Sequence, residues 1–545
     1  MLGLATLAVL GMLTNFFLPL SDGLAVIVTV GGVVLGLVIR RSEANGLGWP
    51  RIVEAGLLLS SAIVFAGYTT KLTVLYDFDL YHLQTSQWLR TEPLPFGLAN
   101  LHGRLAFGSS WLTNVTLFRL TGVDLDGALV STWVPMALTL SWLGGGLVSH
   151  QSMKKNPMSS SLAALVLPLL LFIVVGRQVE SFRMWTSTDA IGVLLWVLLA
   201  FVFLRYLDSA RIGAGRGADA RGQSGSNGQS VQALGMLLML TAYTLTVKAS
   251  LAPVAVLAGA ASLHYFYSRG NIRGLSLPLT LSAVTMLVWF FRNLALSGCV
   301  VYPAAGACID SLSWTVDPAQ ALGEREWTIS WARRPGSEFF ESNLTEWTWL
   351  WDWWLENHGA LVLKDLVTSL VVGLALAGVM GLGKGMGKTP RLPSTRLAVW
   401  TLIGACILNG VFWFLTAPDP RFATGMFLVA GLLPGTFLLA PRTAASSSKH
   451  LIAAWAAPSA LLVYMAATLP VGPGEWINID ARGQLESRPT IQVVTARGLK
   501  LYKPEADDRC GFSPLPCTPN PMDNLTGYRR YGRWFYSRKP DLNIE

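Results

Sequence analysis

Residues 76–88 read YDFDLYHLQTSQW, placing the carboxylates Asp77 and Asp79 beside Tyr81 and His82. The same segment continues into NLHGRLAFGSSW, which adds His102 and Arg104. Further along, GRQVESFRMWTSTD at 176–189 brings Arg177, Glu180, Arg183 and Asp189. Lys248, Arg292 and Arg421 are single cations at the ends of apolar runs. Carboxylates and cations facing one chamber suit a phosphate-bearing ligand: guanidinium groups grip phosphate oxygens, and a carboxylate takes a proton from an attacking hydroxyl. The plainer reading is that these residues cap a helix and wet a headgroup layer. On that reading Tyr81, Gln84 and Trp88 line one side of an interfacial helix, three and four residues apart.

The elements that must position these groups are apolar. The chain has 545 residues, 52% hydrophobic and 13% charged, with mean hydropathy +0.46, whereas a soluble domain carries about 25% charge. Runs of roughly 18–20 apolar residues, long enough for a ~30 Å hydrocarbon layer, recur throughout. The predicted fold is an all-α polytopic membrane protein of about thirteen spans: 2–20, 23–39, 52–69, 127–149, 160–176, 188–207, 231–247, 251–267, 275–292, 360–380, 397–416, 422–440 and 449–470. The first of these lacks a basic leader and a small-residue cleavage pattern, so it reads as a retained helix. The polar-interrupted stretch 106–121 reads as a re-entrant or interfacial helix.

Lys and Arg populate 40–51, 150–157, 205–230, 268–274, 383–396 and 441–450, all on one side if 106–121 does not cross. The positive-inside bias makes that side cytoplasmic, with the N-terminus inside and the C-terminus extracytoplasmic. It also accounts for the net charge of +9. No stripe of basic and aromatic residues forms a nucleic-acid groove, so nucleic acid is not expected as a partner. The Gly/Ser/Arg-rich 210–230 reads as a flexible cytoplasmic linker. The domain expectation is a membrane body over 1–470, with outer loops at 70–126, 177–187 and 293–358, and a separate extracytoplasmic tail, 471–545, of small β or α/β character.

Cysteine usage agrees with this layout. Cys299 and Cys308 share one outer loop, Cys510 and Cys517 share the tail, and Cys406 falls in a span. Close pairs on an oxidising face favour disulfides, and without CxxC spacing or a histidine cluster a metal site is disfavoured. The stretch EWTWLWDWWLENHG is expected to lie in the aromatic belt of the membrane interface, with one or two rings free to stack on a sugar face. In LTAPDPRFATG, Pro418 and Pro420 end a helix and Arg421 opens the next span, where it can snorkel to headgroups.

On these residues the chain resembles the GT-C glycosyltransferases, multispanning enzymes that use polyprenyl-phosphate-linked sugars. In that family an acidic residue in the first large outer loop is the catalytic centre, often with an aromatic residue four places later; Asp77 and Tyr81 match, with Phe78 where the DExxY-like motif has Glu. Asp79 stays in contention. RFATGMFLVAGLLP (421–434) is similar to the late RF/RY…P segment of the family. More closely, YD…LYHLQTSQWL…GLANLHGRLAFGSSW, RNLALSGCVVYP and APDPRF resemble an uncharacterised bacterial multispanning family, over about residues 70–430.

The resemblance implies an inverting glycosyltransferase in the bacterial cytoplasmic (inner) membrane. A polyprenyl-phosphate sugar enters from the outer leaflet, and a lipid or glycan of the cell envelope accepts it. Asp77, or Asp79, acts on the acceptor hydroxyl. Substrate contacts fall to Tyr81, His82, His102, Arg104, Glu180, Arg183, Lys248, Arg292, Tyr302 and Arg421. No cofactor is required, because lipid phosphate is already a good leaving group; a divalent ion on Asp77 stays open. The competing readings are an O-antigen-type polymerase or ligase, which usually rests on arginine-rich outer loops, and a transporter. A transporter would show internal repeats and midplane charges, which the sequence lacks.

Overall fold

The computed structural model describes residues 2–28, 30–32, 76–118, 135, 138–140, 142–143, 155–175, 187–215, 220–269, 273–336, 340–381, 395–445 and 488–539. The chain is mostly helical with a small β region near its C-terminus. Its principal helices are α1 (Leu2–Asn15), α2 (Leu83–Thr91), α3 (Ser110–Leu117), α4 (Pro157–Val175), α5 (Thr188–Gly215), α6 (Ala220–Val247), α7 (Ala255–Arg269), α8 (Ser276–Ser297), α9 (Pro318–Arg333), α10 (Gly359–Gly381), α11 (Thr395–Thr416) and α12 (Thr424–Ala445).

Among the described residues, seven helices are long and apolar enough to cross a membrane: Thr188–Ala210, Gly228–Val247, Ala249–Ser268, Ser276–Ser297, Gly359–Gly378, Arg396–Thr416 and Thr424–Pro441. They mark the chain as a membrane protein. Of the other expected spans, α1 and the apolar part of α4 are shorter helices. The spans expected at 23–39, 52–69, 127–149 and 449–470 lie wholly or partly outside the described residues.

α5 is the centre of the bundle. Its run from Ile191 to Leu204 carries no charge and is apolar on every side, as a helix enclosed by others must be. α12 crosses α10 closely: a Cβ on Gly435 would come 2.5 Å from the Gly373 carbonyl oxygen. Small residues permit such approach where lipid offers no hydrophobic drive between helices.

One sequence expectation changes. The 210–230 linker is largely helical, since α5 runs to Gly215 and α6 begins at Ala220. Extending an existing helix avoids the nucleation cost, which lets a Gly-rich flank continue the turn. The 106–121 segment holds α3, whose eight residues are all buried. At about 1.5 Å per residue it cannot span a bilayer. Asn114 ties it to the Leu4 carbonyl of α1, 3.1 Å, and to the Tyr243 hydroxyl of α6, 2.8 Å.

At one end of the bundle the segments 76–107 and 295–321 share an apolar core with the C-terminal region, built on Trp88, Leu94, Leu101, Leu296, Val316, Leu501 and Tyr536. The C-terminal region is two antiparallel hairpins: β1 (Thr490–Val494) with β2 (Lys500–Pro504), and β3 (Thr526–Arg530) with β4 (Arg533–Ser537). β4 docks directly, with the Phe96 N–H donating to the Trp534 carbonyl and the Tyr536 N–H to the Phe96 carbonyl, each 2.9 Å.

Candidate functional site

The motif of the sequence forms a π-helical turn over Phe78–His82 that runs into α2. Its i→i+5 bonding brings residues five apart onto one face, and such turns recur at functional sites. Asp77 and His82 therefore share one face, and Asp79 and Gln84 the other.

The C-terminal region covers the Asp79 face. Arg488 donates from Nε (3.0 Å) and Nη2 (2.8 Å) to Asp79 Oδ2. The Gly511 N–H donates to the Asp79 carbonyl at 2.8 Å. Gln84 Nε2 donates to the Gly511 and Ser513 carbonyls at 2.9 and 3.0 Å. Gln84 and Trp88 are only 1% and 2% exposed, so the face expected to wet a membrane interface is instead the seat of the β region, with Trp88 against Tyr536. Asp79 is part of this clamp.

The Asp77 face is different. Asp77 is half-buried, with Arg421 Nη1 3.4 Å from Oδ2 and Arg104 Nη1 3.7 Å from Oδ1. Arg421 Nε also reaches Asp419 at 2.9 Å and Asp189 at 3.8 Å. Lys248 pairs with Asp189 and stands 3.5 Å above the Phe422 ring. Asp189, Lys248, Arg421, Phe422, Trp196 and Gly425 line a small pocket. Burial alone would raise the Asp77 carboxyl; Arg421, with Arg104 and Lys248, outweighs it and holds Asp77 below the ordinary carboxylate value. Burial pushes the His82 imidazole down to about 4 and the Tyr81 phenol up, so both are neutral beside Asp77 at neutral pH.

Tryptophans place Arg421. The indole N–H groups of Trp353 and Trp413 donate to the Pro418 and Asp419 carbonyls, each 2.7 Å, and Asp419 Oδ1 accepts the Arg421 N–H at 3.1 Å. Trp349 and Trp353 are buried against Phe414, while Trp347, Trp351 and Trp354 are exposed. The tryptophan-rich segment 347–354, helical from Trp349, is thus anchor on one side and open surface on the other. Arg104 is placed by a 3₁₀ turn over Gly103–Ala106 and by Glu324 of α9, 3.2 Å from its Nε. A Cβ on Gly103 would meet Glu324 Oε2 at 2.5 Å and the Tyr302 hydroxyl at 2.9 Å. Tyr302 is buried there, 6.1 Å from the Phe107 ring.

The remaining expected residues scatter. His102 lies next to Arg104 with its imidazole pushed down to about 3 by burial and by that cation. Arg292 is buried in the bundle and donates to Asn15 Oδ1 of α1 at 3.0 Å, in a separate contact. Arg177, Glu180 and Arg183 lie outside the described residues. Cys299–Cys308 and Cys510–Cys517 are disulfide-bonded, and Cys406 is free. Sequence reasoning passed over Asp419, Glu324 and Arg488. Asp419 sits inside the quoted APDPRF, but nothing local distinguishes Glu324 or Arg488 from ordinary surface charge. Among the described residues, no group of three or more His, Cys, Asp or Glu gathers as a metal site.

The family model described as Domain of unknown function (DUF8201) matches residues 1–428. No curated protein and no solved structure matches the chain.

Proposed function

The chain belongs to the DUF8201 family, and we propose that it is an inverting glycosyltransferase of GT-C type. It moves a sugar from a polyprenyl-phosphate donor to a cell-envelope acceptor on the extracytoplasmic face of the bacterial inner membrane. The observation that carries the reading is the bracketing of Asp77 by Arg421 and Arg104 beside the Lys248 pocket.

The ion pairs supply a way to switch the base on. Without ligand, Arg421 and Arg104 lower the basicity of Asp77. A donor phosphate competes for the same guanidinium groups, to which it can bond bidentately. As it draws them away, the Asp77 carboxylate regains proton affinity where a base is needed. The acceptor oxygen then attacks the anomeric carbon. The bond from that carbon to the phosphate oxygen breaks, its electron pair leaves on polyprenyl phosphate, and the hydroxyl proton goes to Asp77. Neutral His82 and Tyr81 are neighbours able to orient the acceptor through hydrogen bonds. No protein cofactor enters this scheme.

Placement outside the cytoplasm is supported by both disulfides lying in segments that gather at the Asp77 end, as an oxidising compartment favours. The full arrangement, about thirteen spans with the N-terminus cytoplasmic, predicts that a thiol probe labels a cysteine placed at position 220 only from the cytoplasmic side; labelling from outside inverts the topology. The chemistry is tested in proteoliposomes with a panel of polyprenyl-phosphate sugars and envelope acceptors, products being read by mass. Asp77→Asn is expected to abolish transfer while inserting normally; wild-type turnover in that variant refutes the assignment.

A further inference from the structure

The helix α9 carries a feature that the phosphate chemistry does not use. Trp327 and Trp331, one turn apart, stack with centroids 5.4 Å apart and planes within 6°. Both are open to solvent, at 41% and 42% exposure. The turn before them is charged, with Glu324, Arg325 and Glu326 leading into Trp327. Charges so spaced are costly against hydrocarbon, so this face is aqueous, unlike the apolar α10. Paired large aromatics left open on a polar surface mark an interaction site.

The pair is joined to the Asp77 site by one side chain. Arg104 stands 4.6 Å over the Trp327 ring, pairs with Glu324 Oε1 and reaches Asp77 Oδ1. An unbroken path therefore runs from Asp77 through Arg104 to Trp327 and Trp331. Along it lie the Glu324 carboxylate, which accepts hydroxyl hydrogen bonds, the Arg104 guanidinium, which donates them, and, with Trp327 stacked between Arg104 and Trp331, the outer aromatic face of Trp331. A pyranose ring has that pattern reversed: hydroxyls around its rim and a face of C–H bonds that packs on an aromatic ring. Sites for such ligands combine aromatic walls with few placed polar groups.

From this we infer that Trp327 and Trp331, with Glu324 and Arg104, form a pyranose subsite that seats the acceptor glycan beside Asp77. The inference rests on the transferase reading for the word acceptor, but saccharide binding itself does not depend on turnover.

The test is saturation-transfer NMR on the full-length protein in nanodiscs. Its probes are the methyl glycosides of glucose, galactose, mannose and N-acetylglucosamine. At least one glycoside is expected to show saturation, strongest at its ring C–H protons, equally in wild type and in Asp77→Asn. Trp331→Ala is expected to weaken that binding at least ~10-fold, Trp331→Phe to keep most of it, and Trp351→Ala, at an exposed ring away from Arg104, to leave it unchanged. Saturation by none of the glycosides, undiminished binding in Trp331→Ala, or an equal loss in Trp351→Ala overturns the subsite. Should no polyprenyl-phosphate sugar be transferred by the wild type while Trp331→Ala loses glycoside binding, the transferase reading fails and the subsite stands.

Discussion

Asp77 and Asp79 are two residues apart and have opposite surroundings. Asp79 is buried and held by two short bonds from one guanidinium, with its own carbonyl tied to Gly511. Asp77 is half-buried and held at 3.4 and 3.7 Å by two guanidinium groups that also serve other carboxylates. Arg488 is also shared, with Asp507 at 3.2 Å, so what separates the two pairs is length and cover: a short pair on a covered face holds structure, and a long one to the pocket-lining Arg421 can be exchanged for a ligand. The π-helical turn separates the two roles by directing neighbouring carboxylates to opposite faces.

That contrast can be broken in order of expected effect. Asp77→Asn removes the base and should lower turnover by about 10²–10⁴-fold, the span typical of a positioned general base. Stability should be little changed, as thermal denaturation will read. An equal loss from Asp79→Asn at full stability would erase the distinction.

Arg421→Ala should raise the donor KM by about 10–100-fold, the worth of one charge-assisted bond, and leave the acceptor KM nearly unchanged. An unaltered donor KM removes Arg421 from phosphate binding.

Asp79→Ala and Arg488→Ala should each destabilise the fold by about 1–3 kcal/mol, the cost of leaving a charged partner unmet. The double variant should lose clearly less than the sum of the singles, since the pair is then removed entirely. Additive losses in denaturant titration would show that the two do not act as a unit.

The smallest effect is in the pH profiles. Asp77 is lowered in the free protein from its ordinary value of 3.8, so the acid limb of kcat/KM should fall below that value. Once donor phosphate has taken the arginines the acid limb of kcat should lie at higher pH, because kcat reports the complex. Coincident limbs would mean that the ion pairs persist through the reaction.

Much of the fold was legible locally. The seven membrane-length helices each overlap an apolar run of the sequence, because a segment of that length and composition has few other stable states in lipid. The β region was expected from the polar tail 471–545, set apart from the apolar chain. Less legible was the face of α2, where Gln84 and Trp88 looked suited to an interface and turned out to hold the β region. The error arose because a half-polar stripe has the same pattern whether it meets headgroups or another part of the chain.

Sequence by itself determined that this is a membrane protein with a polar, acid-bearing segment between apolar helices, since hydropathy and helix formation depend on nearest neighbours. It did not determine which apolar helix is central: the comparably apolar windows of α5 and α10 are 94% and 17% buried. Nor did it decide between Asp77 and Asp79. Their partners lie 344 and 409 residues away, and such pairings are chosen by helix packing and docking of the β region. Charge attracts at a distance of ångströms, and the chain's linear order does not encode which distant residues come that close.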